Sequence, residues 1–217
     1  MRLVPLIAAV SLVVATSAPA VADSWSAPDR AHDVTSTTYS PDPEPCGTVT
    51  TVPKKGNRTN DILGLAVDHQ PDAVVIRVTF RGRVAGKKIG AEIPLRTSGR
   101  DFVVLVDRYA PEDFPDVTLV HEVDPGDGDD ECGFVTVAYQ SLACSGLATD
   151  DGGDPHAVRV VVPRTCLKSP DWVRAGASSH RFKGMSSTHD LWGRKKDVPK
   201  DNPFVGPLGP KVRVGSP

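Results

Sequence analysis

The strongest constraint on the fold is an alternation of apolar and polar residues in short runs, which begins near residue 60. In the run 73–80 the polar residues Arg77 and Thr79 fall between apolar ones, and the alternating apolar set is Val74, Ile76, Val78 and Phe80. A period of two predicts a strand with one buried and one solvated face. Similar runs follow at roughly ten-residue spacing, separated by Gly-, Pro- and Asp-rich turns, and no window has helical periodicity. We therefore predict an all-β chain, a single antiparallel β-sandwich or jelly roll of about eight or nine strands, with extended N- and C-terminal segments.

Composition divides the chain into four segments. Residues 1–22 contain one basic residue, a short apolar run and the triplet Ala20-Val21-Ala22 before Asp23, which is the layout of a secretory signal peptide. The apolar run is too short to span a bilayer. We expect leader cleavage, a secreted mature chain and no membrane span after cleavage, with a retained anchor as the alternative. We expect an extended N-terminal arm over 23–60, the β-sandwich domain over 61–179, and a Pro/Lys/Gly-rich tail over 180–217 with an edge strand near 211–214.

Charge is distributed unevenly along the chain. Residues 101–163 hold fourteen acidic and two basic side chains, whereas residues 164–217 hold eleven basic and four acidic ones. The basic tail lacks interleaved aromatic residues and adjoins an acidic body, so the sequence disfavours nucleic-acid binding. Abundant Val, Asp, Arg, Gly and Pro indicate a GC-rich genome and suggest an actinobacterial source.

All four cysteines follow the leader. An even number in an oxidising compartment predicts two disulfides, for which three connectivities exist. Zinc binding is the alternative, but no two cysteines have C-x-x-C spacing. We favour Cys144 with Cys166, which would tie neighbouring strands, and Cys46 with Cys132, which would attach the N-terminal segment to the core.

The acidic turn 124–131 is a candidate calcium loop. Asp127 and Asp129 stand at alternating positions, as in calcium loops, but the rest of the EF-hand order is absent. The alternative is a solvated hairpin tip, because Gly and Asp both suit the positive φ of such turns. We expect no cofactor, with calcium at Asp127 and Asp129 as the alternative.

Catalytic motifs are missing from the sequence. His121 and Glu122 are adjacent on a predicted strand, so their side chains point to opposite faces, and no H-E-x-x-H follows. G-x-S-x-G is also absent. A pair of carboxylates that meets only in the folded protein stays open as the basis of a hydrolase.

Trp172 is the candidate ligand-binding aromatic. Sugar-binding sandwiches stack sugars on exposed aromatic rings, and this chain has few aromatic residues outside its leader. The alternative is that Trp172 fills the core or an interface, as large apolar residues usually do.

Two stretches of the sequence carry a family resemblance. One is the predicted hairpin DILGLAVDHQPDAVVIRVTF, and the other is the run Val162-Pro163-Arg164-Thr165-Cys166-Leu167, followed by Pro170 and Trp172-Val173-Arg174. Over about residues 60–175 the chain resembles a group of uncharacterised secreted actinobacterial proteins. Their body is similar to the DOMON-like or family-9 carbohydrate-binding-module sandwich. The resemblance implies a ligand groove lined by aromatic residues and, in some members, a structural calcium.

Together these features predict a secreted, disulfide-linked, non-enzymatic β-sandwich. Its expected partner is a cell-wall glycan or another exported protein, bound through a loop end or an exposed edge strand. The alternative is a secreted hydrolase with a carboxylate-based site.

Overall fold

The computed structural model describes residues 23–42, 46–85, 87–108, 116–123, 138–193 and 207–214. Within these ranges the secondary structure consists of β-strands and one 3-10 helix, Arg164–Leu167. The strands are β1 (Asp23–Pro28), β2 (Thr35–Ser40), β3 (Thr48–Pro53), β4 (Ile62–His69), β5 (Ala73–Phe80), β6 (Ile89–Thr97), β7 (Asp101–Arg108), β8 (Asp116–Val123), β9 (Ala138–Leu142), β10 (Ala148–Asp150), β11 (Ala157–Pro163), β12 (Trp172–Ala175), β13 (Ser178–Lys183), β14 (Ser186–Leu191) and β15 (Val212–Arg213). The part of the chain described here contains no helix long and apolar enough to cross a membrane.

The strands form two antiparallel sheets, as the predicted all-β sandwich requires. The small sheet has the order β1-β4-β5-β11-β10, and the large sheet has the order β3-β2-β14-β13-β6-β7-β8-β9, with β12 pairing β6 and β15. Strands β4 to β12 lie within the predicted sandwich segment, in agreement with the expected eight or nine. Both flanking segments add further strands. The predicted edge strand near residues 211–214 is confirmed as β15, which pairs β12.

Apolar side chains from the two sheets meet in one core. Strand β5 of the small sheet buries the four alternating residues predicted for it, and strand β6 of the large sheet buries Ile89, Ala91, Ile93 and Leu95. Each fully buried aliphatic side chain of this kind contributes about 1.5–3 kcal/mol. The even-numbered residues of β6 therefore face away from the core.

One disulfide joins Cys144 to Cys166, with their Cα atoms 5.4 Å apart, which confirms the predicted pair. It links the end of β9 in the large sheet to the 3-10 helix that follows β11 of the small sheet, so it connects the two layers. Cys46 is disulfide-bonded. Cys132 lies outside the described residues, so its pairing with Cys46 stays a prediction.

Candidate functional site on the outer face of the large sheet

Glu92 is an acid on the outward face of β6 whose side chain is nevertheless nearly buried. Its cross-strand partners are Ser178 of β13 and Leu105 of β7. Only 16% of the Glu92 side chain is exposed. Burial, together with the smaller effect of the negative charge of Asp107, raises the pKa of Glu92 to about 7. Near neutral pH the carboxyl is therefore present in both its protonated and its ionised form.

The His180 imidazole lies beside Glu92. Its ring covers Gly90, where any Cβ atom would collide with it. His180 Nδ1 is 3.8 Å from Glu92 Oε1, and Nε2 is 3.9 Å from Asp107 Oδ1. Both distances exceed a hydrogen bond. Burial lowers the pKa of His180, while the charge of Asp107 opposes that change, so the ring is mainly neutral at neutral pH.

Two polar atoms beside Glu92 have unused hydrogen-bonding capacity. Ser178 is only 3% exposed, and neither its Oγ nor His180 Nδ1 has a hydrogen-bond partner among the described residues. A buried polar group without a partner costs about 1–3 kcal/mol.

A pocket of about 380 Å³ opens beside these groups, and we call it the Glu92 pocket. Leu208, from the C-terminal segment, lines it together with residues of β6 to β9. The titratable residues of its lining are Glu92, Arg96, Arg100, Asp101, His121, Glu122 and Tyr139.

Opposite charges balance one another at the mouth of the Glu92 pocket. Arg96 and Asp101 form an ion pair of 3.1 Å, and both side chains are mostly exposed. The Tyr139 ring is partly exposed. Burial raises the pKa of Tyr139, and the charges of Glu92 and Glu122 add to the effect, so its hydroxyl stays protonated and can donate a hydrogen bond.

A second polar cluster is buried at one end of the sandwich. Single carboxylate oxygens of Asp33, Asp61 and Asp190 lie within 4.8 Å of one another, a spacing that could hold a cation. Protein groups already bind Asp61 and Asp190, among others. Arg81 Nε is 2.7 Å from Asp61 Oδ2, and the Ile62 backbone N–H donates to Asp190 at 2.6 Å.

The protonation of this cluster follows from its burial. Burial raises the pKa of Asp190 to about 8, although the Ile62 N–H lowers it. Burial also raises the pKa of nearby Asp29 to about 6, with opposing hydrogen bonds from the Gly193 and Arg30 backbones. At neutral pH Asp190 therefore mostly keeps its proton, which reduces repulsion among the acids. The cluster connects the loop after β1 to β4 and β14.

The sites predicted from sequence lie elsewhere or outside the described residues. Trp172 is on β12, half-buried, with the Lys211 ammonium 4.2 Å from its ring centroid. It does not line the Glu92 pocket. Asp127 and Asp129 lie outside the described residues, so calcium binding there stays a prediction. His121 and Glu122, which we rejected as a catalytic pair because neighbouring strand side chains face opposite ways, both contribute to the lining of the Glu92 pocket.

Sequence reasoning did not select Glu92, His180 or Asp107. The only available signal was the alternation of β6, which placed Glu92 among outward positions, and an outward glutamate is ordinarily solvated. Nothing local to the sequence indicated that residues of β13 and of the C-terminal segment would cover it.

A scan against protein-family models, a search of curated proteins and a search of solved structures each found no match.

Proposed function

We propose that the protein is a secreted, non-enzymatic β-sandwich that binds an uncharged segment of a cell-wall glycan in the Glu92 pocket. The observation that supports this most is the combination, in one pocket, of acceptor carboxylates, donor guanidinium groups and the partly exposed Tyr139 ring.

The chemistry of the lining suits sugar hydroxyls. Each hydroxyl both donates and accepts a hydrogen bond. Asp101 and Glu122 can accept, Arg96 and Arg100 can donate, and the Tyr139 ring offers an apolar surface for the C–H face of a sugar. Because the lining contains acids and arginines together, it gives a strongly charged ligand no net attraction.

The size of the pocket limits the ligand. A volume of about 380 Å³ lies near the lower end of the range for small-molecule sites, roughly 300–1,000 Å³. We infer that the pocket holds a short segment or one end of a glycan rather than a long stretch.

The test is retention of the purified chain on isolated cell walls and on a panel of insoluble polysaccharides. We expect Tyr139→Ala to weaken binding about 10-fold. A stacking contact with an aromatic ring contributes on the order of 1 kcal/mol in addition to the burial of the apolar surface of the ring. Phe182→Ala is the matched control, because Phe182 is also an exposed aromatic residue but does not line the pocket. Retention on none of these materials, or equal retention of the Tyr139 variant, would refute the proposal.

A second candidate function is glycan hydrolysis with Glu92 as the general acid. The observation in its favour is the Glu92 pKa of about 7, because a general acid must still hold its proton at the working pH. Asp101 and Glu122 line the same pocket and are the available second carboxylates.

One assay separates the two functions. A hydrolase would release new reducing ends from a retained polysaccharide, and Glu92→Gln would stop the release while binding persists. A binding module would release none under the same conditions, even where it is retained.

A further inference from the structure

The β13–β14 hairpin exposes two large apolar side chains at its tip. Phe182 is 60% exposed and Met185 is 56% exposed. Fully burying a side chain of this size contributes about 1.5–3 kcal/mol. Because both side chains are mostly exposed, the folded protein lacks most of that stabilisation at Phe182 and at Met185.

A third exposed residue extends this apolar surface onto the neighbouring hairpin. The Tyr39 backbone N–H of β2 donates to the Met185 carbonyl at 3.0 Å, and Tyr39 pairs directly with Val49 of β3. Val49 is 51% exposed. Partners across antiparallel strands share a face, and Phe182 belongs to that same face through its pairing with Ser187. We call Phe182, Met185 and Val49 the hairpin-tip patch.

Basic side chains lie beside the hairpin tip. Arg181 and Lys183 are the exposed neighbours of Phe182 on β13, and strand alternation places them on the opposite face of the hairpin. Neither Arg181 nor Lys183 forms a salt bridge with another described residue. Asp42 is an exposed acid near the same end, where its carbonyl accepts a hydrogen bond from Thr48. Two unpaired cations therefore face one described anion at this end.

We propose that the hairpin-tip patch docks the protein on the surface of an anionic phospholipid bilayer. Gly184, in the turn, faces open space, because a Cβ atom there would meet nothing within 4 Å. A projecting apolar tip enters the boundary between headgroups and acyl chains, and the basic residues beside it contact lipid phosphates. Phe182 packs on the His180 ring, with 5.1 Å between the ring centroids, but none of the three patch residues lines the Glu92 pocket, so the proposal does not depend on the proposed glycan function.

The test is co-sedimentation of the purified chain with vesicles of phosphatidylcholine alone and of phosphatidylcholine mixed with phosphatidylglycerol. We expect binding to the mixed vesicles only. Phe182→Ser with Met185→Ser lowers the partition coefficient about 10-fold or more. Arg181→Gln with Lys183→Gln also lowers it about 10-fold or more, since each basic residue near an anionic surface contributes about 1 kcal/mol.

The matched control is Val52→Ser, which removes an exposed apolar side chain from the opposite face of β3. It should bind like the parent chain, and all variants should melt at the parent temperature because the altered side chains are exposed. Equal binding of the parent and the Phe182/Met185 variant would overturn the proposal. A change in oligomeric state in that variant without a change in vesicle binding would also overturn it, since the patch would then contact a second copy of the chain.

Discussion

Glu92→Gln should change how the stability of the protein depends on pH. The folded protein raises the pKa of Glu92 from 4.5 to about 7, so the folded state binds this proton more tightly than the unfolded chain does. At about 1.4 kcal/mol per pH unit, ionising Glu92 costs the folded state at most about 3.5 kcal/mol. The stability that the protonated form provides is complete below pH 4.5 and is lost as the pH rises toward 7.

Urea unfolding at about pH 5 and about pH 8, followed by tryptophan fluorescence, measures this effect. Between these conditions the parent should lose about 2.5 kcal/mol more unfolding free energy than Glu92→Gln, because glutamine does not ionise. Titrating groups that do not interact with Glu92 contribute equally to both proteins, so their contributions cancel in the difference. Glu122→Gln, an exposed acid of the same pocket, is the matched control and should follow the parent. If the unfolding free energies of the parent and of Glu92→Gln differ by the same amount at both pH values, the assigned burial of the Glu92 carboxyl is refuted.

Three further predictions concern the fold. Replacing both Cys144 and Cys166 by serine should lower the unfolding free energy by about 3 kcal/mol in urea titrations, because the bridge restricts the unfolded chain; an unchanged midpoint would contradict this. Arg81→Met should destabilise by about 3–5 kcal/mol, since it leaves the buried Asp61 carboxylate without its cation, and Arg81→Lys should recover part of the loss. His69 is buried and its pKa is lowered, mainly by desolvation, so the unfolded chain gains the proton first as the pH falls below 6.5. On acidification the melting temperature of the parent should therefore fall more than that of His69→Gln. Equal decreases in the two melting temperatures would contradict this prediction.

The local pattern of apolar residues was sufficient to predict those strands that bury one face in the core. In β5 the alternating Val74, Ile76, Val78 and Phe80 had to face one way, and all four are buried. The same logic failed for β2 and β14, whose sequences are rich in threonine and serine. Their faces are largely polar, so no amphipathic alternation marks them. Pairing with distant strands, such as β14 with β2, makes them part of the sheet.

The alternation of apolar residues by itself determined the all-β class, and the cysteine positions indicated the Cys144–Cys166 bridge. Only the tertiary structure decided that Glu92, Asp107 and His180 meet, since they come from three strands joined through backbone pairing. The physical reason is that the alternation of a strand decides to which face of the sheet a side chain points. The burial and the pKa of that side chain depend instead on which residues from distant segments pack against it. Leu208, at the far end of the described chain, lines the same pocket as Glu92, and no short-range pattern encodes that approach.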